Sequence, residues 1–122
     1  MAVLLVFLGG MLGAPLRYLT DRAMQARHDS VFPWGTFTVN VVGSFVLGAI
    51  AAGVARLGWP NDLALAVGTG VCGGLTTFST FGYETVRLLT SGAVRYAALN
   101  VLGSLAAGLA AASAGWALVS AF

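Results

Sequence analysis

Phe78 and Phe81 stand three residues apart with Ser79 and Thr80 between them. At helical spacing the two rings share a face. An aromatic ring is electronegative on its face and electropositive at its edge, so two edges turned toward a narrow path would stabilise a small anion without a fixed positive charge. The same spacing also serves two rings packed in a core, and the pair alone leaves both readings open. Asn40 lies in the apolar stretch after Pro33. Its amide must find a partner there, either an anion to which its NH2 donates or a hydrogen bond to a neighbouring helix. Asn100 and Ser104 form a similar polar pair at i, i+4, with the same alternatives. Arg17 and Glu84, near the ends of apolar stretches, suit a structural role, pairing with each other or reaching to water. His28, between Arg27 and Asp29, reads as a solvated loop residue. No nucleophile–base set, metal-ligand cluster or phosphate loop is present in the chain, which argues against an enzyme.

The segment that carries the two phenylalanines is unusual. From Gly68 to Gly82 it holds five glycines and five hydroxyl residues in fifteen positions, poor material for a continuous helix. The Gly73-Gly74 pair loses much backbone entropy on ordering. Thr76, Thr77, Ser79 and Thr80 offer hydroxyls to backbone groups that leave the helical ladder. The spacing predicts a break near Gly73 to Thr77, the alternative being a glycine-rich helix packed tightly on a neighbour. Non-helical backbone at membrane depth survives only where protein or a wet cavity covers it, and broken helices turn carbonyl ends toward cations and amide ends toward anions. The break is therefore a candidate ion site.

Composition sets the class of element that must hold these residues. The chain is 58 % hydrophobic and 8 % charged, where an ordinary soluble domain carries about 25 % charge. That excludes a soluble coat, a disordered chain and the basic patch of a nucleic-acid binder. Asp29 and Arg56 bracket 26 residues without charge, Asp62 and Glu84 bracket 21, and 27 follow Arg95. Each is long enough to cross a bilayer as a helix. The first 16 residues lack side-chain charge as well, and without a basic n-region they read as a retained span. The expectation is one membrane domain over 1–122, all-α, with four helices at about 2–20, 33–55, 62–91 and 95–120. They are joined by a polar loop from Asp21 to Val31, a Gly58-Trp59-Pro60-Asn61 turn and a Ser91-Gly92 link. Pro33 suits a first helical turn, and Asn61 or Asp62 an N-cap. Small residues at four-residue spacing (Gly9 and Gly13, Ser44 and Gly48, Gly70 and Gly74, Ser104 and Gly108) mark helix contacts, because helices in lipid associate by close backbone approach. Cys72 is alone and says nothing of redox compartment.

Three ordered motifs then resemble a known family. They are Gly9-Gly10-x-x-Gly13-Ala14-x-x-Arg17-Tyr18, Phe32-Pro33-Trp34-Gly35-Thr36-x-x-Val39-Asn40-x-x-Gly43-Ser44-Phe45, and Gly73-Gly74-Leu75-Thr76-Thr77-Phe78-Ser79-Thr80-Phe81-x-x-Glu84. Together they are similar to the Fluc/CrcB family of fluoride channels over nearly the whole chain. The resemblance implies a passive fluoride channel, an antiparallel dual-topology homodimer with two pores, that exports fluoride across a bacterial inner or plasma membrane and so reduces its toxicity. It assigns the fluoride pathway to Phe78, Phe81, Asn40, Ser79, Thr80, Thr36 and Glu84, to which Ser104 of the fourth span is added. It places a central sodium ion on the backbone carbonyls of Gly73 and Thr76, and leaves Arg17 structural. A proton-coupled exporter of cationic drugs would need a carboxylate within the membrane, and the first, second and fourth spans hold none. A non-transporting membrane subunit would give the broken helix no purpose. Five arginines (Arg17, Arg22, Arg27, Arg87, Arg95) fall at the end opposite the termini and only Arg56 falls at theirs. That bias is at odds with dual insertion and leaves an oppositely oriented paralogue as the alternative partner.

Overall fold

The computed structural model describes residues 1–122, which form helices and short links without a strand. Ala2–Arg27 is α1 and Trp34–Leu57 is α2. The third span runs from Asn61 to Thr90. It consists of a turn α3 (Asn61–Leu63), a π-helix (Ala64–Cys72), a turn α4 (Gly73–Leu75), three non-helical residues, and α5 (Ser79–Thr90). Val94–Ser120 is α6. All four spans are long and apolar enough to cross a membrane, so the protein is a multi-pass membrane protein with its third helix broken.

Two expected boundaries move for physical reasons. α1 does not stop at residue 20 but continues to Arg27. Polar residues end a membrane span without ending a helix, and Arg, Met, Gln and Ala are good helix formers. Gln25 Nε2 also donates to Asp21 Oδ2 at 3.0 Å, one turn back. The polar loop shrinks accordingly to His28–Pro33. Asn61 and Asp62 lie inside the first turn and not at the cap, which Pro60 occupies, and Pro33 caps α2 one residue before its first turn.

The link after α2 is fixed by Gly58, whose φ of 67° is left-handed. The Gly58 and Trp59 amides both turn back to the Gly53 carbonyl, closing the helix end as glycine C-caps do. The Trp59 ring then lies on Gly53, where a side chain would collide with it. Gly92, with φ 84°, makes the equivalent reversal between α5 and α6, and the Ala93 amide bonds the Leu88 carbonyl at 2.8 Å.

Small residues set two close pairs of helices. A Cβ at Gly9 would strike the Ala66 carbonyl oxygen and one at Gly13 that of Val71, so α1 seats its glycines directly on the first half of the third span. Gly70 and Gly74 answer from the other side. On α2 a Cβ at Gly48 would strike the Ala112 carbonyl, and on α6 one at Gly115 would strike that of Phe45, while a Cβ at Gly108 would come within 3.6 Å of Ser44 Oγ. The small-residue stripes are thus used inside one protomer, pairing α1 with the third span and α2 with α6.

The break falls at the end of the expected Gly73 to Thr77 range and not at its glycines. Gly73 has φ −62° and ψ −39°, ordinary right-handed helix. The chain leaves the helix only at Thr76, which is extended (φ −79°, ψ 159°), and it resumes at Ser79. No residue from Gly73 to Phe78 uses positive φ, so glycine's conformational freedom is not what opens the helix.

Candidate ion pathway

Asn40 holds the break. Its Nδ2 donates to the Thr77 carbonyl at 2.9 Å and its Oδ1 accepts from the Thr77 amide at 2.8 Å. A backbone N–H only donates and a backbone carbonyl only accepts, so this pair also determines which way the amide points. One side chain of α2 thereby satisfies both backbone groups of a residue that has left the helical ladder, in a setting where unpaired groups are costly. Thr77 does the same for the helix that follows. Its Oγ1 accepts from the Thr80 amide at 3.2 Å and donates to Thr80 Oγ1 at 3.0 Å, with Ser79 Oγ at 3.4 Å, so from the position before the N-cap Phe78 it satisfies one of the free amides at the start of α5.

Beside this clamp lies a cavity of about 290 Å³ whose lining includes Asn40, Thr77, Phe78, Phe81 and Ser104. The two rings are 6.0 Å apart, centre to centre, at 41°. Phe78 is 85 % exposed on the protomer surface. Most hydroxyl protons around this cavity are already committed. Ser44 donates to the Asn40 carbonyl at 2.7 Å and Thr76 to the Cys72 carbonyl at 2.8 Å. The second N–H of the Asn40 amide is used by neither of its two bonds to Thr77.

On the other side of Thr77 is a second cavity, about 210 Å³, with Arg17, Tyr18, Thr36 and Thr80 in its wall. A third, about 520 Å³, lies at the end formed by the His28–Pro33 link and the α5–α6 turn, with Asp21, His28, Glu84 and Arg87 among its lining. Thr77 lines the first two cavities and Asp21 the last two. Buried Thr36 donates its hydroxyl to Glu84 Oε1, joining the walls of the second and third. A row of three cavities joined by shared wall residues therefore runs from the mouth at Glu84, the polar end, to the more apolar one at the phenylalanines.

The structure brings most of the expected site residues onto this row. Phe78, Phe81, Asn40 and Ser104 share the first cavity, Thr36 and Thr80 the second, and Glu84 the third. Ser79 is exposed, touches Thr77 and lines none of the three. Arg17 and Glu84 do not pair. Glu84 has Thr36, whereas Arg17 Nη1 donates to the Thr76 carbonyl at 3.4 Å. Gly73 lies outside all three cavities, with nothing within 4 Å of an added Cβ. His28 is exposed, as expected, with its ring 6.1 Å from that of Trp34. Thr77 was visible only as one hydroxyl among five. Its place at the junction depends on Asn40, far away in sequence, and no local signal marks it.

A helix interrupted at mid-span, closed by a side-chain amide and flanked by cavities with polar side chains in their walls, belongs to the class of membrane proteins that handle ions or small polar solutes within the bilayer. Residues 4–116 match the family model described as CrcB-like protein, Camphor Resistance (CrcB). The chain is 60 % identical over 116 residues to a protein of Streptomyces avermitilis, covering 92 % of this chain and 90 % of that one. It is 61 % identical over 109 residues to one of Nocardia farcinica, covering 89 % and 74 %. A protein of Haloarcula marismortui is 47 % identical over 116 residues, covering 94 % and 91 %. All three bear the name fluoride-specific ion channel FluC. The chain belongs to the CrcB-like family.

Proposed function

We propose that this protein is a passive, fluoride-selective channel, not an enzyme, that lets fluoride leave the cell down its electrochemical gradient and so limits its toxicity. The observation that carries this reading is the meeting of Phe78, Phe81 and the clamped Asn40 amide around one cavity at the break, in a chain whose relatives bear that name. Fluoride is small and strongly hydrated. A fixed cation would hold it too firmly, whereas conduction requires sites that compensate dehydration and still release the ion. Ring edges at Phe78 and Phe81 and the second N–H of Asn40 supply weak positive potential of that kind. Thr80 and Ser104 add hydroxyls along the way, Ser79 lies outside the three cavities beside Thr77, and Glu84 with Thr36 forms the polar mouth. Purified protein in liposomes loaded with fluoride should release it without any other component. Protein that stays well assembled and releases none would overturn the reading.

Assembly belongs to the same proposal. Phe78 projects from the protomer almost uncovered, and an antiparallel second copy, or an oppositely oriented paralogue, would enclose it and complete two pores. The carbonyls of Gly73 and Thr76 suit a sodium ion at the centre of such a dimer. The Thr77 amide, which would have bonded Gly73, is taken by Asn40, and the Thr76 carbonyl meets only the long Arg17 contact. Hard oxygen donors of this kind fit a hard cation. When bound, sodium would supply positive charge tying two breaks together, while the chain's own residues hold the carbonyls in place. The setting is the cell membrane. C-terminal reporters active on both sides of it, with no second protein expressed, would be expected for a homodimer, and activity on one side only would point to the paralogue.

A further inference from the structure

Behind the wall of the phenylalanine cavity runs a chain of hydrogen bonds that begins and ends at residues lining it. Ser104 Oγ donates to Asn100 Oδ1 at 3.4 Å, Asn100 Nδ2 donates to Thr85 Oγ1 at 2.9 Å, and Thr85 Oγ1 donates to the Phe81 carbonyl at 2.8 Å. Asn100 is 1 % exposed and lines none of the three cavities described above. The direction of the chain is forced. The Phe81 carbonyl can only accept, so Thr85 gives it its single proton and must itself accept from Asn100. That turns the amide NH2 toward Thr85 and leaves its oxygen facing Ser104.

We infer that Asn100 is a positioning residue for ion passage, acting at both ends of this chain. At one end it steadies the turn of α5 that carries Phe81, through Thr85. At the other its oxygen is the resting acceptor for the Ser104 proton. The Ser104 bond is the longest of the three, near the limit for a hydrogen bond, while the protons of Ser44 and Thr76 are held at 2.7 and 2.8 Å. Ser104 is thus the hydroxyl of this cavity whose proton is most easily turned away. It swings toward an anion in the cavity and returns to Asn100 when the anion leaves. The donor strengthens when needed and is never a fixed charge.

This inference rests on the fluoride reading, and the test separates the two. In liposome efflux, parent protein without flux would end the fluoride reading itself. With the parent active, Thr85→Val is close to isosteric and removes only the hydroxyl. It should lower flux per assembled protein roughly tenfold, the scale of one buried hydrogen bond with its partners left unpaired. Thr85→Ser should recover most of that loss. Asn100→Leu should lower flux at least as far, and the Asn100→Leu/Thr85→Val double variant no further than the worse single one, because both break the same chain. If Asn100 merely holds α5 to α6, these variants lower yield or thermal stability while assembled protein conducts like the parent. That result, or singles that multiply in the double, would overturn the inference.

Discussion

The two stretches on either side of Leu75 invert what their compositions suggest. From Ala64 to Leu75 the third span carries Gly68, Gly70, Gly73 and Gly74 and stays wound, most of it as a π-helix. From Thr76 to Phe78 it carries no glycine and is open. The glycines serve close approach, since Gly70 and Gly74 admit the backbone of α1. The opening is held by partners, with the Asn40 amide on both backbone groups of Thr77 and the Thr77 hydroxyl on the start of α5. A helix in a membrane breaks where another element supplies the hydrogen bonds it gives up, and freedom of φ and ψ is neither required nor used.

If that contrast is right, the largest loss should follow removal of the clamp. Asn40→Leu leaves the Thr77 amide and carbonyl without partners, at about 1–3 kcal/mol each. Fluoride flux from liposomes should fall on the order of a hundredfold, with assembled protein harder to recover. Flux near that of the parent would show that the break holds itself open. Next come the rings. Phe78→Leu and Phe81→Leu keep apolar bulk and delete the quadrupole, and should each lower flux about tenfold while assembly survives. If both conduct as before, the two phenylalanines are packing residues and the ring-edge mechanism is lost.

A third variant tests geometry at the edge of the opening. A Cβ at Gly43 would collide with Thr76 Cγ2, so Gly43→Ala should lower flux and thermal stability by roughly the 1–3 kcal/mol of an overpacked contact. Thr76→Ser removes that methyl group and keeps the hydroxyl. The Gly43→Ala/Thr76→Ser pair should therefore run better than Gly43→Ala alone, and a pair that is worse would place the strain elsewhere. Gly73→Ala separates the protomer from the assembly. Within one protomer the backbone there is helical and the space beside it open, so a loss smaller than that of Gly43→Ala would leave Gly73 away from any second copy, whereas a larger one would seat a second copy against it, as the proposed sodium-bridged dimer requires.

The sequence was readable where one residue carries its own reason. Charge-free runs declared the four spans, small residues four apart marked helix contacts without saying which helices pair, and Phe78, Phe81 and Asn40 stood out as candidates whose packing readings stayed open. It was less readable where the reason is shared. Local composition placed the break within Gly73 to Thr77 but could not say where in that range, and it is Asn40, 37 positions away, that selects Thr77. The extension of α1 through Arg27 was hidden because polarity marks the edge of lipid and not the end of a helix. Asn100 read only as a polar residue in a span, since its meaning lies in Thr85 on one side and Ser104 on the other.

The clamp also bears on the order in which the protein is made. Asn40 leaves the ribosome before Thr77, so α2 is available when the third span arrives. Neither half of that span, the wound part up to Leu75 or the twelve residues of α5, reaches the roughly 20 residues needed to cross a bilayer by itself. Until the segment meets α2, the state that satisfies its own backbone in lipid is an unbroken helix. The opening is then created when the segment docks, and newly made chains in which Asn40 is replaced should pass through the same insertion step and stall only at the one after it.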